Sequence, residues 1–190
     1  MGHAELPVAA RARQLEERAI AAGLATDAEL DAALANLYQN ASPVNGARMV
    51  ARAWADPGYR DRLLADGNAA AAELGFGDFY YRLKAVANAP GQHNMIVCTL
   101  CSCYPVSLLG PSPSWYKSLA YRSRAVRAPR AVLAEFGLDL PPGTEIAVWD
   151  ATAETRYLVL PCLPPGAEGL GEEKLASLVT RDGLIGTAAV

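Results

Sequence analysis

The sequence predicts an α+β protein: a helical N-terminal arm over residues 1–75, then a domain of mixed strands and helices over 76–190. Three observations predict it. Up to Gly75, apolar residues recur at helical spacing between capping signals. Beyond Phe79, short alternating or apolar runs bounded by proline and glycine interleave with helical stretches. The length of 190 residues, 52% of them hydrophobic and 19% charged, suits one sizeable core with a helical appendage.

In order along the chain, residues 5–22 carry Leu15, Ala19 and Ile20 at helical spacing and stop at Gly23. The charges of Arg11, Arg13, Glu16, Glu17 and Arg18 read as a solvated face. Thr26 and Glu29 form a capping box opening a second helix with Leu30, Ala33 and Leu37. Ser42-Pro43 starts a third helix reaching about residue 53. Asp56-Pro57 starts a fourth, expected to run unbroken through Leu63 and Leu64 to Leu74. Residues 79–86 alternate as a strand, 88–91 break it, and 94–97 form the next strand. Pro105, Pro111 and Pro113 are expected to prevent regular structure after that. Ser114 is the expected cap of a helix with Trp115, Tyr116 and Leu119, followed by a short helix at 129–136. Residues 145–149 and 156–160 read as a hairpin around 150–155, and 171–179 as the last helix.

Composition narrows function by exclusion. A net charge of −3 offers no electrostatic attraction to nucleic acid. No run approaches the ~18 apolar residues of a membrane span. No basic segment followed by an apolar one marks a secretory leader. Four cysteines, three of them clustered, do not suggest a disulfide scaffold, so a cytoplasmic protein is expected.

The chemistry concentrates in Cys98-Thr99-Leu100-Cys101-Ser102-Cys103, directly after the 94–97 strand. Thiols at positions 1, 4 and 6 of a tight loop can face one centre, and thiolates are soft ligands for a transition metal. On the motif alone, a structural zinc site or a redox-active thiol cluster stays open. His93 is placed to complete a zinc site, although a lone histidine more often makes a surface or interface hydrogen bond. Cys162 reads as a plain, partly buried thiol, and Trp115 and Tyr116 as core or interface anchors. Arg122, Arg124 and Arg127 form a cationic stretch indistinguishable from an exposed helix face.

The cysteine hexapeptide resembles the metal-binding claw of nitrile hydratase α subunits. Other segments resemble that family in the same order: Asn45-Gly46-Ala47-Arg48 with Ala53-Trp54, Ser114-Trp115-Tyr116-Lys117, Tyr121-Arg122-Ser123-Arg124, Val148-Trp149-Asp150, 156–161, 166–169 and 178–182. The resemblance implies a layered α/β/β/α domain with mixed sheets. It implies Cys98, Cys101 and Cys103 as sulfur ligands, with the backbone nitrogens of Ser102 and Cys103 as further ligands. Cys103, Cys101 and Ser102 are accordingly the catalytic candidates. Thr99 and Tyr104 fit the cobalt members, so Co(III) is expected ahead of Fe(III). Cys101 would be a sulfinic acid and Cys103 a sulfenic acid, rungs of the ordinary thiol oxidation ladder. Arginines of a β-type partner, one chain or split in two, would hold those oxygens, and a maturation or activator protein could load the metal. The implied reaction is hydration of a small-molecule nitrile to its amide. Two relations stay beside it: the γ subunit of thiocyanate hydrolase, and a non-catalytic metal-binding or carrier protein.

One departure bears on substrate. Where many relatives read Tyr-Pro-Trp-Pro after the claw, this chain reads Tyr104-Pro105-Val106-Ser107. Many relatives also place a polar Gln-Gly pair where Asp78-Phe79 stands here. Val106, Tyr104 and Phe79 are therefore the expected pocket residues. Losing an indole is expected to widen the site for a bulky or heteroaromatic nitrile, such as a nitrile-bearing nucleoside of the toyocamycin sort.

Overall fold

The computed structural model describes residues 7–77 and 79–190, apart from the side chains of residues 8, 37 and 38. The expectations resting on Glu5, Asp78 and the Leu37 side chain lie outside the described residues. The chain divides into two compact units, Met1–Asn40 and Ala41–Val190.

The first unit contains α1 (Val8–Ala21) and α2 (Asp27–Asn40). The expected capping box is formed: Thr26 N–H donates to Glu29 Oε2 and Glu29 N–H to Thr26 Oγ1. Leu15, Leu24 and Leu34 of this unit are exposed.

The second unit opens with α3 (Pro43–Ala55), α4 (Pro57–Ala65) and α5 (Gly67–Glu73). The prolines open α3 and α4 as expected, and Ser42 and Asp56 directly before them cap the two helices. The single helix expected to reach Leu74 is instead two. Asp66 ends α4 in extended conformation, and its side chain accepts the N–H groups of Asn68 and Ala69 to start α5. A short acidic side chain competing for backbone donors breaks a helix that periodicity alone would continue. Helices α3–α5 were expected in the arm, but they lie within the second unit, where α4 and α5 pack on β1. Their apolar face, with Met49, Val50, Tyr59 and Leu63, is buried in the main core. Periodicity reveals that a face must be buried, not against what.

Four strands follow: β1 (Arg82–Ala87), β2 (Gln92–Val97), β3 (Glu145–Asp150) and β4 (Thr155–Leu160). Residues 79–81, expected to open the first strand, stay outside it. Mixed sheets and a β3–β4 hairpin were expected; the sheets are two parallel pairs, β1 with β4 and β2 with β3. Arg82 pairs with Thr155 and Ala87 with Leu160; Gln92 pairs with Glu145 and Val97 with Asp150. Residues 151–154 therefore carry the chain from one layer to the other. Ala151 N–H donates to Val97 O, and Thr152 Oγ1 accepts the N–H groups of Glu154 and Thr155. Adjacent strands in sequence make a hairpin only when they lie side by side in one sheet, and here β3 and β4 belong to different layers.

Between β2 and β3 lie α6 (Val106–Leu109), a 3-10 turn (Ser114–Lys117), α7 (Leu119–Arg127) and α8 (Pro129–Glu135). The prolines do not suppress regular structure: α6 fits between Pro105 and Gly110. Ser118, not Ser114, caps the helix, accepting Tyr121 N–H at 3.1 Å. After β4 come α9 (Glu172–Leu178) and α10 (Arg181–Ile185), the latter unanticipated. Helices α4, α5 and α10 cover β1–β4 while α7 and α8 cover β2–β3, and β2 contacts both β1 and β4. The layers are thus α/β/β/α.

Gly186 locks the end of α10 against β2. Its φ is +86°, and a Cβ there would lie 2.0 Å from Asn94 O, so no other residue fits. No described helix is long and apolar enough to cross a membrane.

Candidate metal centre

Strand β2 is buried along almost its whole length and delivers Cys98 to the end of the sheet. The next five residues turn back so that the Cys98, Cys101 and Cys103 sulfurs all lie within 4.8 Å of one another. Cys98 Sγ is 3.5 Å from Cys101 Sγ, which is 3.2 Å from Cys103 Sγ. Cys98 and Cys103 are buried, while Leu100, Cys101 and Ser102 face outward. Metal–sulfur bonds of about 2.3 Å set sulfurs about 3.3 Å apart at right angles and about 3.8 Å apart in a tetrahedron. The 3.2 Å separation is near the right-angle value, and the 3.5 Å one lies midway between the two.

Two clamps hold the loop. The register placing Asp150 opposite Val97 brings its carboxylate to Thr99, whose N–H donates to Oδ1 at 2.9 Å and whose hydroxyl donates to Oδ2. From α7, Arg122 donates to Cys98 O at 3.0 Å and to Thr99 O at 2.7 Å. Beneath the loop, Tyr116 donates to Cys103 O at 3.0 Å and Tyr121 to Ile96 O at 2.6 Å. These tyrosines belong to an aromatic cluster with Trp115 and Phe136, in keeping with the expected core anchors. From β4, Arg156 Nη1 donates to Tyr104 O at 2.9 Å.

The three thiols are not equivalent. Hydrogen bonds from the Cys103 and Cys98 thiols, then from the Ser102 and Cys103 backbone amides, draw the Cys101 pKa down to about 7. Burial, reinforced by the neighbouring Cys101, pushes Cys103 up to about 12. Cys101 therefore ionises before Cys103. Cys103 needs a strong local cation before it can do so, and a metal ion supplies one. The Ser102 and Cys103 amides direct their N–H groups at the Cys101 sulfur. The donor set fits a polarising transition-metal ion.

Residues 6–188 match the family model described as nitrile hydratase, alpha chain. The chain belongs to the nitrile hydratase α-chain family. It is 49% identical over 183 residues to the low-molecular-weight cobalt-containing nitrile hydratase subunit alpha of Rhodococcus rhodochrous, covering 95% of this chain and 88% of that one. It is 47% identical over 158 residues to thiocyanate hydrolase subunit gamma of Thiobacillus thioparus, covering 77% and 65% respectively. Among solved structures, a double mutant of the Fe-type nitrile hydratase from Comamonas testosteroni Ni1 superposes with a TM-score of 0.85 at 44% identity, covering 94% of this chain and 88% of that one. Both cobalt- and iron-type members are therefore similar to it.

The expected pocket residues occupy different settings in the isolated chain, all against the main core. Phe79 is half-buried, stacked on Tyr81 with ring centroids 5.2 Å apart, and lines an open cavity of about 650 Å³ with Tyr80 and Thr155. Tyr104 is instead a core residue, 1% exposed, its ring packed edge-on against Tyr116. Val106 is half-buried at the start of α6. His93 completes no zinc site: it is buried, with Nε2 donating to Gly186 O at 2.7 Å and Nδ1 facing Asn88. Cys162 is exposed rather than partly buried. Arg124 pairs with Glu135 on the surface and Arg127 returns to Ser123 O, so of the three basic residues only Arg122 reaches the loop. Asp150 and Arg156 were not singled out by function from the sequence. Their signal was present in Val148-Trp149-Asp150 and in the arginine opening β4, but no spacing rule connects either residue to a loop about fifty positions away.

Proposed function

We propose that this chain is the metal-bearing subunit of an enzyme that hydrates a nitrile to the corresponding amide, active with a β-type partner of one or two chains. The observation that carries the reading is the convergence of three sulfurs and two inward-facing amides in a claw of the nitrile hydratase α-chain family. Cys98, Cys101 and Cys103 would hold Co(III) through sulfur, with Ser102 and Cys103 contributing backbone nitrogen. Cobalt is favoured by Thr99 and by the similarity to cobalt-containing relatives. When bound, the metal supplies Lewis acidity that polarises the nitrile. Cys101 as sulfinate and Cys103 as sulfenate present oxygens at the claw. The Cys103 oxygen would either take a proton from a water that adds to the nitrile carbon, or add to that carbon itself and then be released by a water that restores the sulfenate. Either way the nitrile nitrogen gains a proton and the imidic acid tautomerises to the amide. Asp150 and Arg122 hold the loop geometry on which that alignment depends.

The partner reading has its own support. Leu100, Leu119 and Tyr80, on or beside the elements that frame the claw, are 82%, 77% and 85% exposed, an expensive arrangement unless another chain covers them. The exposed leucines of α1 and α2 suit an arm that also contacts that partner. Val106, in place of an indole, supports a bulky or heteroaromatic nitrile as substrate. The similarity to a thiocyanate hydrolase γ subunit favours one second reading, the same chemistry on thiocyanate.

The test is metal analysis, peptide mass spectrometry and hydration assays on the chain purified with its partner. Near-stoichiometric cobalt, two added oxygens on Cys101 and one on Cys103, and turnover of heteroaromatic nitriles ahead of acetonitrile are expected. Cys103→Ala is expected to lower turnover by at least about a hundred-fold. Full activity of that variant, or zinc on three unmodified thiols in the mature complex, overturns the reading. Turnover of thiocyanate instead of nitriles selects the second one.

A further inference from the structure

Arg156 is buried, 8% exposed, at the claw end of the β1–β4 sheet. Its Nη1 donates to the carbonyl of Tyr104, the residue after the last cysteine. The guanidinium carbon lies 5.0 Å from the Tyr81 ring centroid and 5.9 Å from that of Tyr80. Nε is buried without any hydrogen-bond partner. Among the described residues the ion pairs are Arg52–Glu172, Arg62–Glu73 and Arg124–Glu135, all at the surface, and none involves Arg156. The exposed carboxylate of Glu154 feels the Arg156 charge but makes no ion pair with it. A buried guanidinium that faces two aromatic rings and one carbonyl is thus under-compensated, and proteins rarely keep a buried charge without its opposite.

The opposite charge belongs to the loaded claw. Three thiolates and two deprotonated amides outweigh the charge of a trivalent ion, so the occupied loop is anionic. Arg122 does not answer that charge from as deep a position: it is only half-buried, and its Nε and Nη2 donate to Cys98 O and Thr99 O. Arg156 keeps its Nε donor free and already reaches the carbonyl of the residue that follows Cys103.

The geometry points to Arg156 as the counter-charge that this chain supplies to its own metal claw, a positioning residue that holds the Cys103–Tyr104 peptide and balances the anionic ligand set. The inference rests on the metal centre proposed above. It makes the metal-free chain the strained state and the loaded one the relieved state. A residue of purely structural value would stabilise both alike.

The experiment compares the parent with Arg156→Met and Arg156→Lys, each purified with the partner, by cobalt per complex at limiting cobalt and by thermal midpoint with and without metal. Arg156→Met is expected to bind at least about ten-fold less cobalt, while its metal-free midpoint stays within a few degrees of the parent's. Arg156→Lys, which keeps the charge, is expected to recover most of the cobalt. Equal cobalt in Arg156→Met overturns the inference. So does a metal-free Arg156→Met that fails to fold, because the residue is then structural. So does Arg156→Lys losing as much cobalt as Arg156→Met. A parent that binds no cobalt defeats the proposed metal centre itself, and that outcome is visible before any variant is made.

Discussion

At residue scale, His93 carries a pH dependence separate from the claw. Burial holds its pKa below the ordinary histidine value, and the hydrogen bond to Gly186 O only partly opposes this. The carbonyl must receive a proton, so Nε2 carries the hydrogen and Nδ1 accepts from Asn88. In the unfolded chain the imidazole takes up a proton below about pH 6.5, whereas in the folded chain it resists doing so. Its contribution to stability is therefore complete above about pH 6.5 and lost as the pH falls towards the folded-state pKa. Urea midpoints measured from pH 8 to pH 5.5 should fall on the acid side, and His93→Gln should flatten that fall. A variant with the same acid slope as the parent would remove His93 as its cause. The claw follows a different logic: its thiols are brought to opposed pKa values by proximity and burial, a conflict that a bound cation resolves.

At the scale of single elements, α7 is the lever. Nine residues long, it presents Tyr121 to Ile96 O and Arg122 to Cys98 O and Thr99 O. Ser118 fixes where it begins. Ser118→Ala removes the side-chain acceptor for Tyr121 N–H at a cost of about 1 kcal/mol, or a fall of about 2–4 °C in Tm for a chain of this size. The metal-free protein should show that shift by circular dichroism. An unchanged Tm would mean that the aromatic cluster of Trp115, Tyr116, Tyr121 and Phe136 holds α7 without its cap.

At the scale of the whole molecule, the two units have unequal claims to independent stability. The two helices of the first unit leave Leu15, Leu24 and Leu34 exposed, and so small an assembly buries too little apolar surface to stand alone. The second holds the main core, from Ala47 to Ile185. A chain limited to residues 41–190 should fold cooperatively with the sheet and claw intact but associate with the β-type partner at least about ten-fold more weakly, read by pull-down or titration. Undiminished association would place the partner's surface on the second unit alone.

What the sequence determined by itself was whatever depends on near neighbours. Caps at Thr26, Ser42 and Asp56 are two- to three-residue interactions between a short polar side chain and adjacent N–H groups, and all three form. The convergence of Cys98, Cys101 and Cys103 is also local, since six residues of loop after a strand have few ways to spread. The tertiary structure alone decided which strands pair and that α3–α5 join the main core, whereas the Asp66 cap that divides a helix is as local as the other three and is hidden only from periodicity. Only the tertiary structure brought Asp150, Arg122 and Arg156 to the loop from positions 24 to 58 residues beyond Cys98. Periodicity marks the face a segment must bury, but the partner for that face is chosen by the packing of the whole chain.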